Sequence, residues 1–290
     1  MILFATDVHL NFLRVRGAVR AFGEYLAEEY SEADDLLITG DISEAPTLVT
    51  HLTQLADGWG KRILFLTGNH DYYGSSVYLV HKELKALQHP LLVWLDAPGL
   101  EPLQFDGFGL VGQYAWYDGL YGEPLKSQVL LYDWSSVEEL TQVFNEYEWV
   151  YEIGRGSRHP LLTTLRWLAA EAAKQAKIKL EAALQCNSKV VFATHVAPFE
   201  GASWHEGKIS NAQWLPWFTC RAMGEILAET AAAHPDHQIL VLCGHNHSAG
   251  VYQHSANLRV VTGGARYGVP DAAGTVSLQS FTNWQCESGV

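Results

Sequence analysis

The sequence has few charged residues and few basic ones in particular. Its 290 residues include 19 Lys and Arg against 32 Asp and Glu, which gives a formal net charge of −13. Duplex nucleic acids bind to basic surfaces, so this balance argues against nucleic acid as the main partner. Charged residues make up 18% of the chain, which is below the usual quarter and indicates a compact globular protein without a charged tail.

Cysteine is sparse, and long apolar runs are absent. The four cysteines are far apart and form no Cys-x-x-Cys pair, which argues against a disulfide framework or a zinc knuckle: Cys186, Cys220, Cys243 and Cys286. No apolar run approaches the roughly 18 residues of a membrane span, so we expect no transmembrane helix. A strand is predicted from residue 2, so we expect no signal peptide before it. These features together predict a cytoplasmic protein.

The first half of the chain alternates short apolar runs with helical patterns. Such an alternation indicates βαβ units. The predicted strands cover residues 2–5, 36–39, 63–67, 91–95 and 109–113. The predicted helices cover residues 15–30, 46–56 and 75–87, the last with Ser75 or Ser76 as its N-cap.

The second half begins with an aromatic-rich segment at residues 114–160, which we interpret as an insertion with a helix near 136–150. Its aromatic side chains either cover a binding site or simply pack onto the domain. Further helices are predicted at 161–184 and 219–233, and strands at 190–194, 239–243, 250–253, 258–262 and 275–281. We expect antiparallel pairing among the last three strands and a single domain over residues 1–290.

Five polar clusters follow predicted strands directly or within a residue or two. They are Asp7-Val8-His9, Gly40-Asp41, Gly68-Asn69-His70-Asp71, Thr194-His195 and Gly244-His245-Asn246-His247. Residues just past the carboxyl ends of strands in an open α/β sheet line the ligand crevice. Each cluster alone also fits a hydrogen-bonded core histidine or a tight turn at glycine. Five such clusters in one chain are hard to explain by packing alone.

The residue types in these clusters predict a metal site. His, Asp and Asn without cysteine form a nitrogen and oxygen donor set, which suits zinc, iron or manganese. Seven candidate ligands exceed what one tetrahedral ion takes. Two ions that share a bridging carboxylate accommodate all seven, and two-ion sites recur in enzymes that hydrolyse phosphoesters.

The ordered set resembles the signature of the calcineurin-like metallophosphoesterase family, from residue 7 to residue 247. The matching motifs are Asp7-x-His9, Gly40-Asp41-x-x-Glu44, Gly68-Asn69-His70-Asp71, His195 and Gly244-His245-x-His247. The resemblance implies an α/β fold, a four-layer α/β/β/α sandwich of two mixed sheets flanked by helices.

The resemblance also implies a role for each residue of the site. The first ion would be held by Asp7, His9, Asp41 and His247, and the second by Asp41, Asn69, His195 and His245. Asp41 would bridge the two ions. His70 would be a catalytic residue outside the metal shell, near the phosphate and the leaving group, with Asp71 holding or polarising it.

The implied activity is hydrolysis of a phosphate ester by a hydroxide that bridges the two ions. The expected partner is a small phosphorylated substrate, and monoesters, diesters and pyrophosphates all remain open, as do the metal pair and the oligomeric state. The aromatic insertion favours a ring-bearing, nucleotide-like substrate. The alternative is a non-catalytic binding scaffold with the same fold.

One departure from the family concerns the residues near the phosphate. The segment after Asp41 lacks the basic residue that follows in protein Ser/Thr phosphatases, which argues against a phosphoprotein substrate. Arg266 could approach the phosphate or form a surface salt bridge.

Overall fold

The computed structural model describes residues 1–143 and 160–282. Most strands of a five-stranded mixed sheet come from the first half of the chain. Its order is β13-β1-β2-β3-β4, with β1 to β4 parallel and β13 antiparallel to β1. The strands are β1 Ile2–Ala5, β2 Asp35–Thr39, β3 Arg62–Leu66, β4 Leu92–Trp94 and β13 Gly274–Val276. The parallel strands therefore end at one common edge.

A six-stranded mixed sheet packs on the first. Its order is β11-β12-β10-β7-β6-β5, with a parallel centre and antiparallel edge strands. The strands are β5 Leu103–Phe105, β6 Phe108–Gly112, β7 Lys189–Ala193, β10 Gln238–Cys243, β11 Gly250–Ser255 and β12 Leu258–Thr262. A separate hairpin pairs β8 Trp204–His205 with β9 Lys208–Ile209.

Alternating side chains along the strands build two cores. In β1, Phe4 points into an apolar core between the sheets, together with Leu240 of β10, whereas Leu3 belongs to the core under the helices. This period of two explains why the strands are apolar along their whole length. The helices are α1 Ala18–Glu29, α2 Leu48–Trp59, α3 Val77–Ala86, α4 Asp133–Ser136, α5 Pro160–Cys186 and α6 Arg221–Ala233.

The resulting architecture confirms the predicted fold class, two large mixed sheets flanked by helices. Helix α3 begins as expected, since the Ser76 side chain accepts a hydrogen bond from the Leu79 N–H. The expectation of mutual antiparallel pairing among the last strands was only partly right. Strand β12 pairs antiparallel with β11 but lies parallel to β10, and β13 crosses to the other sheet.

Three aromatic side chains of the proposed insertion are part of the core, whereas Tyr132 is 69% exposed. Trp116, Tyr117 and Trp134 are buried, so these rings pack onto the domain rather than line an open cleft. The helix predicted near 136–150 differs from the structure at its start. Helix α4 ends at Ser136, and a separate helical segment covers the described residues 138–143. Residues 144–159 lie outside the described residues, and the single-domain organisation stays a prediction.

In residues 1–143 and 160–282, no helix combines the length and the apolar character that crossing a bilayer requires. The cytoplasmic location stays a prediction.

Candidate metal centre

The first group of candidate ligands contains Asp7, His9, Asp41 and His247. One ligand atom from each lies within 4.8 Å of the others. The Nε2 atoms of His9 and His247 are 3.1 Å apart, and His247 Nε2 is 3.4 Å from Asp7 Oδ1. Ring nitrogens and a carboxylate oxygen that converge in this way present several lone pairs to one point.

The second group contains Asp41, His195 and His245, again with ligand atoms within 4.8 Å of one another. Asn69 joins it, since its Oδ1 lies 3.0 Å from His195 Nε2. All these residues are buried. The site thus brings together all seven ligands that the sequence predicts, although their role in binding metal stays a prediction.

Asp41 belongs to both groups, and its two oxygens face different ways. Its Oδ1 lies 3.3 Å from His195 Nε2 in the second group, whereas its Oδ2 lies 3.8 Å from His9 Nε2 in the first. A carboxylate placed like this can share one oxygen with each of two ions. The arrangement is consistent with the bridging role that the family resemblance implies.

Backbone carbonyls fix the orientation of the two buried histidine rings. The Nδ1 of His195 lies 2.8 Å from the Thr39 carbonyl, and the Nε2 of His245 lies 3.0 Å from the Trp217 carbonyl. A ring N–H that donates to a carbonyl leaves the lone pair on the other ring nitrogen, and metal-bound histidines are commonly oriented in this way. The available nitrogens are therefore Nε2 of His195 and Nδ1 of His245.

The backbone at the site is strained. Six described residues other than glycine have positive φ, and five of them are candidate ligands: Asp7, His9, Asp41, His245 and His247. Each such conformation costs about 1–3 kcal/mol and persists only where the surroundings impose it, typically at functional sites.

Glycine is required where the loops of the site touch. A Cβ atom at Gly244 would overlap the Thr6 hydroxyl and the Asp7 carboxylate, and one at Gly68 would overlap Asp41 Oδ1 and the His195 ring. The glycines of these motifs therefore permit close approach between the strand-end loops of the two sheets, beyond serving local turns.

The candidate histidine ligands differ in their protonation. Burial lowers the pKa of His9 to about 3 and that of His245 to about 4, so both rings are neutral and can act as ligands. Burial also acts on His195, but the Asp41 carboxylate prevails and raises the pKa of His195 to about 10. Because a ligand nitrogen must be free of its proton, an ion at His195 would displace that proton.

His70 lies beside the candidate ligands but belongs to neither group. Its Nε2 is 3.8 Å from Asp41 Oδ2, its side chain is 19% exposed, and its backbone N–H donates to Asp41 Oδ1 over 2.9 Å. Its ring packs between those of His9 and Tyr73, at centroid distances of 4.6 and 4.3 Å. His70 is thus held in place beside the site and remains partly exposed to solvent.

The expectation that Asp71 holds His70 is wrong. The Asp71 carboxylate instead accepts hydrogen bonds from the backbone N–H groups of Ile42, Ser43 and Gly68, over 2.8–2.9 Å. It therefore ties the loop that carries Asp41 to the loop that carries Asn69, and acts on the site through the backbone.

Three residues at the site were missed from the sequence. Tyr267 packs its ring against His9 and His247, Tyr73 packs against His70, and the buried Asp133 accepts a hydrogen bond from the Tyr73 hydroxyl over 2.9 Å. The glycine-rich stretch around Tyr267 was the only local signal. Arg266, next to it, is exposed and forms no ion pair with another described residue, so the surface salt bridge is not observed.

A sequence profile of the family described as calcineurin-like phosphoesterase matches residues 1–249, most of the chain. The chain belongs to the calcineurin-like phosphoesterase family. This confirms the resemblance that the motifs indicated. A comparison with curated proteins gives no match.

Two solved structures resemble the calcineurin-like fold described above. Phosphopantetheinyl hydrolase from Mycobacterium tuberculosis is 12% identical, with a TM-score of 0.59 over 92% of this chain and 89% of that one. A dimetal phosphatase from Danio rerio is 16% identical, with a TM-score of 0.53 over 93% of this chain and 88% of that one. At such low identity these likenesses support the fold and not an activity.

The residues present fit a pair of metal ions. The donor set consists of nitrogen and oxygen, the ring lone pairs converge, and the buried His9 Nδ1 has no hydrogen-bond partner among the described residues. Family membership and the two ligand groups together indicate a dinuclear metal centre.

Proposed function

We propose that this protein is a metal-dependent hydrolase that cleaves a phosphoester bond in a small phosphorylated substrate. The observation that carries the proposal is the pair of ligand groups that share Asp41, with His70 beside them and outside both. A scaffold that binds without catalysis does not need two complete ligand groups or a solvent-facing histidine next to them.

The ions would be manganese, iron or zinc, in agreement with the donor set. Asp7, His9, Asp41 and His247 would hold one ion, and Asp41, Asn69, His195 and His245 the other. Two bound ions would lower the pKa of water and stabilise the charge that develops on the phosphoryl oxygens.

The side chains of the protein would position the reacting groups and supply a proton. The His70 ring, fixed between His9 and Tyr73 and partly exposed, can donate a proton to the leaving oxygen. The hydrogen bonds that the Asp71 carboxylate accepts from the backbone of Ile42 and Gly68 hold the Asp41 and Asn69 loops together, which preserves the spacing of the ligands.

Chelation followed by reconstitution tests the proposal. The chelated protein should hydrolyse neither p-nitrophenyl phosphate nor bis(p-nitrophenyl) phosphate nor a pyrophosphate, and added manganese should restore hydrolysis of at least one of them. Asp57→Asn, an exposed carboxylate on α2, is the matched control and should behave as the unaltered protein. A folded, metal-loaded protein that is inactive on all three classes would favour the scaffold.

A further inference from the structure

Tyr267 forms part of the rim of the candidate metal centre. It lies in the loop of residues 263–273 between β12 and β13, and 49% of it is exposed. Its ring centroid is 4.4 Å from that of His9 and 4.7 Å from that of His247, so one face covers the first ligand group.

Phe12 extends this rim. Its ring lies 5.0 Å from that of Tyr267 at an angle of 49°, and 39% of the residue is exposed. Phe12 comes from the turn just after His9, whereas Tyr267 comes from the other end of the chain. Two open aromatic rings therefore stand together beside the place where a phosphoryl group would bind.

Packing does not account for the exposed faces of these rings. The insertion aromatics Trp116, Tyr117 and Trp134 are buried in the core and present no face to a ligand. Tyr132 is the exposed insertion aromatic near the site, but it packs on Tyr73 and contacts neither His9 nor His247 in the ring contacts of the described residues. The Tyr267 hydroxyl makes no hydrogen bond to another described residue. An exposed aromatic face beside a polar site can stack on a planar ring, whatever polar groups that ring carries.

We infer that the substrate carries a planar aromatic ring close to its phosphoryl group, as a nucleotide does, and that Tyr267 and Phe12 bind this ring. The inference rests on the proposed function, because it places the phosphoryl group at the ligand groups. It also moves the ring-binding surface from the insertion, where the sequence suggested it, to the rim beside His9 and His247.

Calorimetry on the manganese-loaded protein tests the inference without requiring turnover. The probes are adenosine 5′-monophosphate and ribose 5-phosphate, each as its hydrolysis-resistant methylenephosphonate analogue. The two probes share the ribose and its phosphonate and differ in the ring. The unaltered protein should bind the nucleotide more tightly. Because stacking of a base on an aromatic side chain stabilises binding, Tyr267→Ala should bind the nucleotide about 5- to 150-fold more weakly. Its affinity for ribose 5-phosphate should be unchanged.

Three variants serve as comparisons. Tyr267→Phe keeps the ring and should keep the nucleotide affinity. Tyr25→Ala removes a ring of similar exposure, 45%, on α1, and should change neither affinity. Trp214→Ala removes a ring that stacks on Phe218 near His245, on the side of the second ligand group, and should also leave the preference intact.

The inference is overturned if the unaltered protein binds both probes equally, or if Tyr267→Ala weakens both alike. It is also overturned if Trp214→Ala, rather than Tyr267→Ala, abolishes the preference. Loss of manganese from Tyr267→Ala would show that the ring supports His9 and His247 instead. The hydrolysis assay described above decides the proposed function separately, because calorimetry reports binding in an inactive protein as well.

Discussion

Two buried polar clusters lie where strand ends of the five-stranded sheet face strand ends of the six-stranded sheet. They offset the free-energy cost of burying polar groups in different ways. One is the candidate metal centre. The other is centred on Lys179 of α5, whose Nζ donates to the carbonyls of Leu95 and Gly112, just after β4 and at the end of β6. Both clusters connect the sheets through polar atoms that are removed from water.

The Lys179 cluster pairs the polar atoms at its centre. The Asp96 carboxylate, next to Leu95, accepts hydrogen bonds from the Thr67 N–H and hydroxyl, the Trp94 indole and the Tyr114 N–H. Neither Lys179 nor Asp96 has a buried polar atom without a partner, and neither has positive φ. Buried polar groups that are fully hydrogen-bonded are ordinary structural features.

The candidate metal centre leaves its polar atoms converging on each other. The His9 and His247 nitrogens face one another, the His9 Nδ1 has no partner among the described residues, and five ligands have positive φ. Such an arrangement is costly unless something else binds there. The contrast shows that burial of charge alone does not mark a functional site, whereas unpaired and convergent lone pairs on a strained backbone do.

The largest expected effect is that of Asp41→Asn. The substitution removes the negative charge that both ligand groups share, so turnover should fall by more than about 10³-fold, since even one stabilising donor is worth about 10²–10³-fold. The second group should lose its ion most readily, because Asp41 is its only carboxylate. Steady-state kinetics and metal analysis, with Asp57→Asn as control, check this. Near-normal activity with both ions bound would contradict the bridging role of Asp41, and the candidate metal centre would then not differ in kind from the Lys179 cluster.

His70→Ala should have the next largest effect, and it should depend on the leaving group. A poor leaving group needs a proton in the transition state, and general acid assistance is worth about 10²–10⁴-fold. Activity on alkyl or nucleotide esters should therefore fall by about that factor, and activity on nitrophenyl esters much less. Equal losses on both would instead indicate that His70 stabilises charge on the phosphoryl group. A loss of metal would make His70 a ligand.

The smallest expected effect is on the pH dependence of stability. Burial lowers the pKa of Lys179 from 10.5 to about 8, so between these values the unfolded chain binds more protons than the folded one. The free energy of unfolding should therefore rise with pH across this window, and the burial cost is fully present below about pH 8. At about 1.4 kcal/mol per pKa unit, the gain is on the order of 3 kcal/mol.

Lys179→Met isolates this contribution. Urea unfolding at pH 7, 8, 9 and 10 should show that the unaltered protein gains stability relative to the variant as the pH rises. Turnover of the metal-loaded variant should be unchanged, because the Lys179 ammonium donates to the carbonyls of Leu95 and Gly112 and to no residue of the candidate metal centre. A stability difference that is constant with pH would show that Lys179 is buried without a shifted pKa.

Much of the fold could be predicted because its signals are local. Strands β1, β2, β3, β7 and β10 are short apolar runs followed by polar residues, and a buried parallel strand leaves that pattern in the sequence. The pairing of β13 with β1 could not be predicted in this way, since the two strands are about 270 residues apart and the sequence pattern does not encode a partner.

The candidate metal centre shows the same division between local sequence signals and tertiary contacts. Its candidate ligands lie two to four residues after the ends of their strands, so sequence order and residue type identify them. Tyr267 and Asp133 reach the site through tertiary structure alone, and Asp71 turned out to bond the backbone rather than His70. Motif adjacency thus predicted which residues gather at the sheet edge, but not which atoms they contact.

Metal stoichiometry tests the central claim most directly. The protein should be dialysed against increasing free manganese, and the bound metal measured by elemental analysis for the unaltered chain, Asp41→Asn and Asp57→Asn. The shared Asp41 predicts two ions per chain at saturation in the unaltered protein and in Asp57→Asn, and fewer than two in Asp41→Asn. Saturation at one ion in the unaltered protein, unaffected by Asp41→Asn, would contradict a dinuclear centre bridged by Asp41.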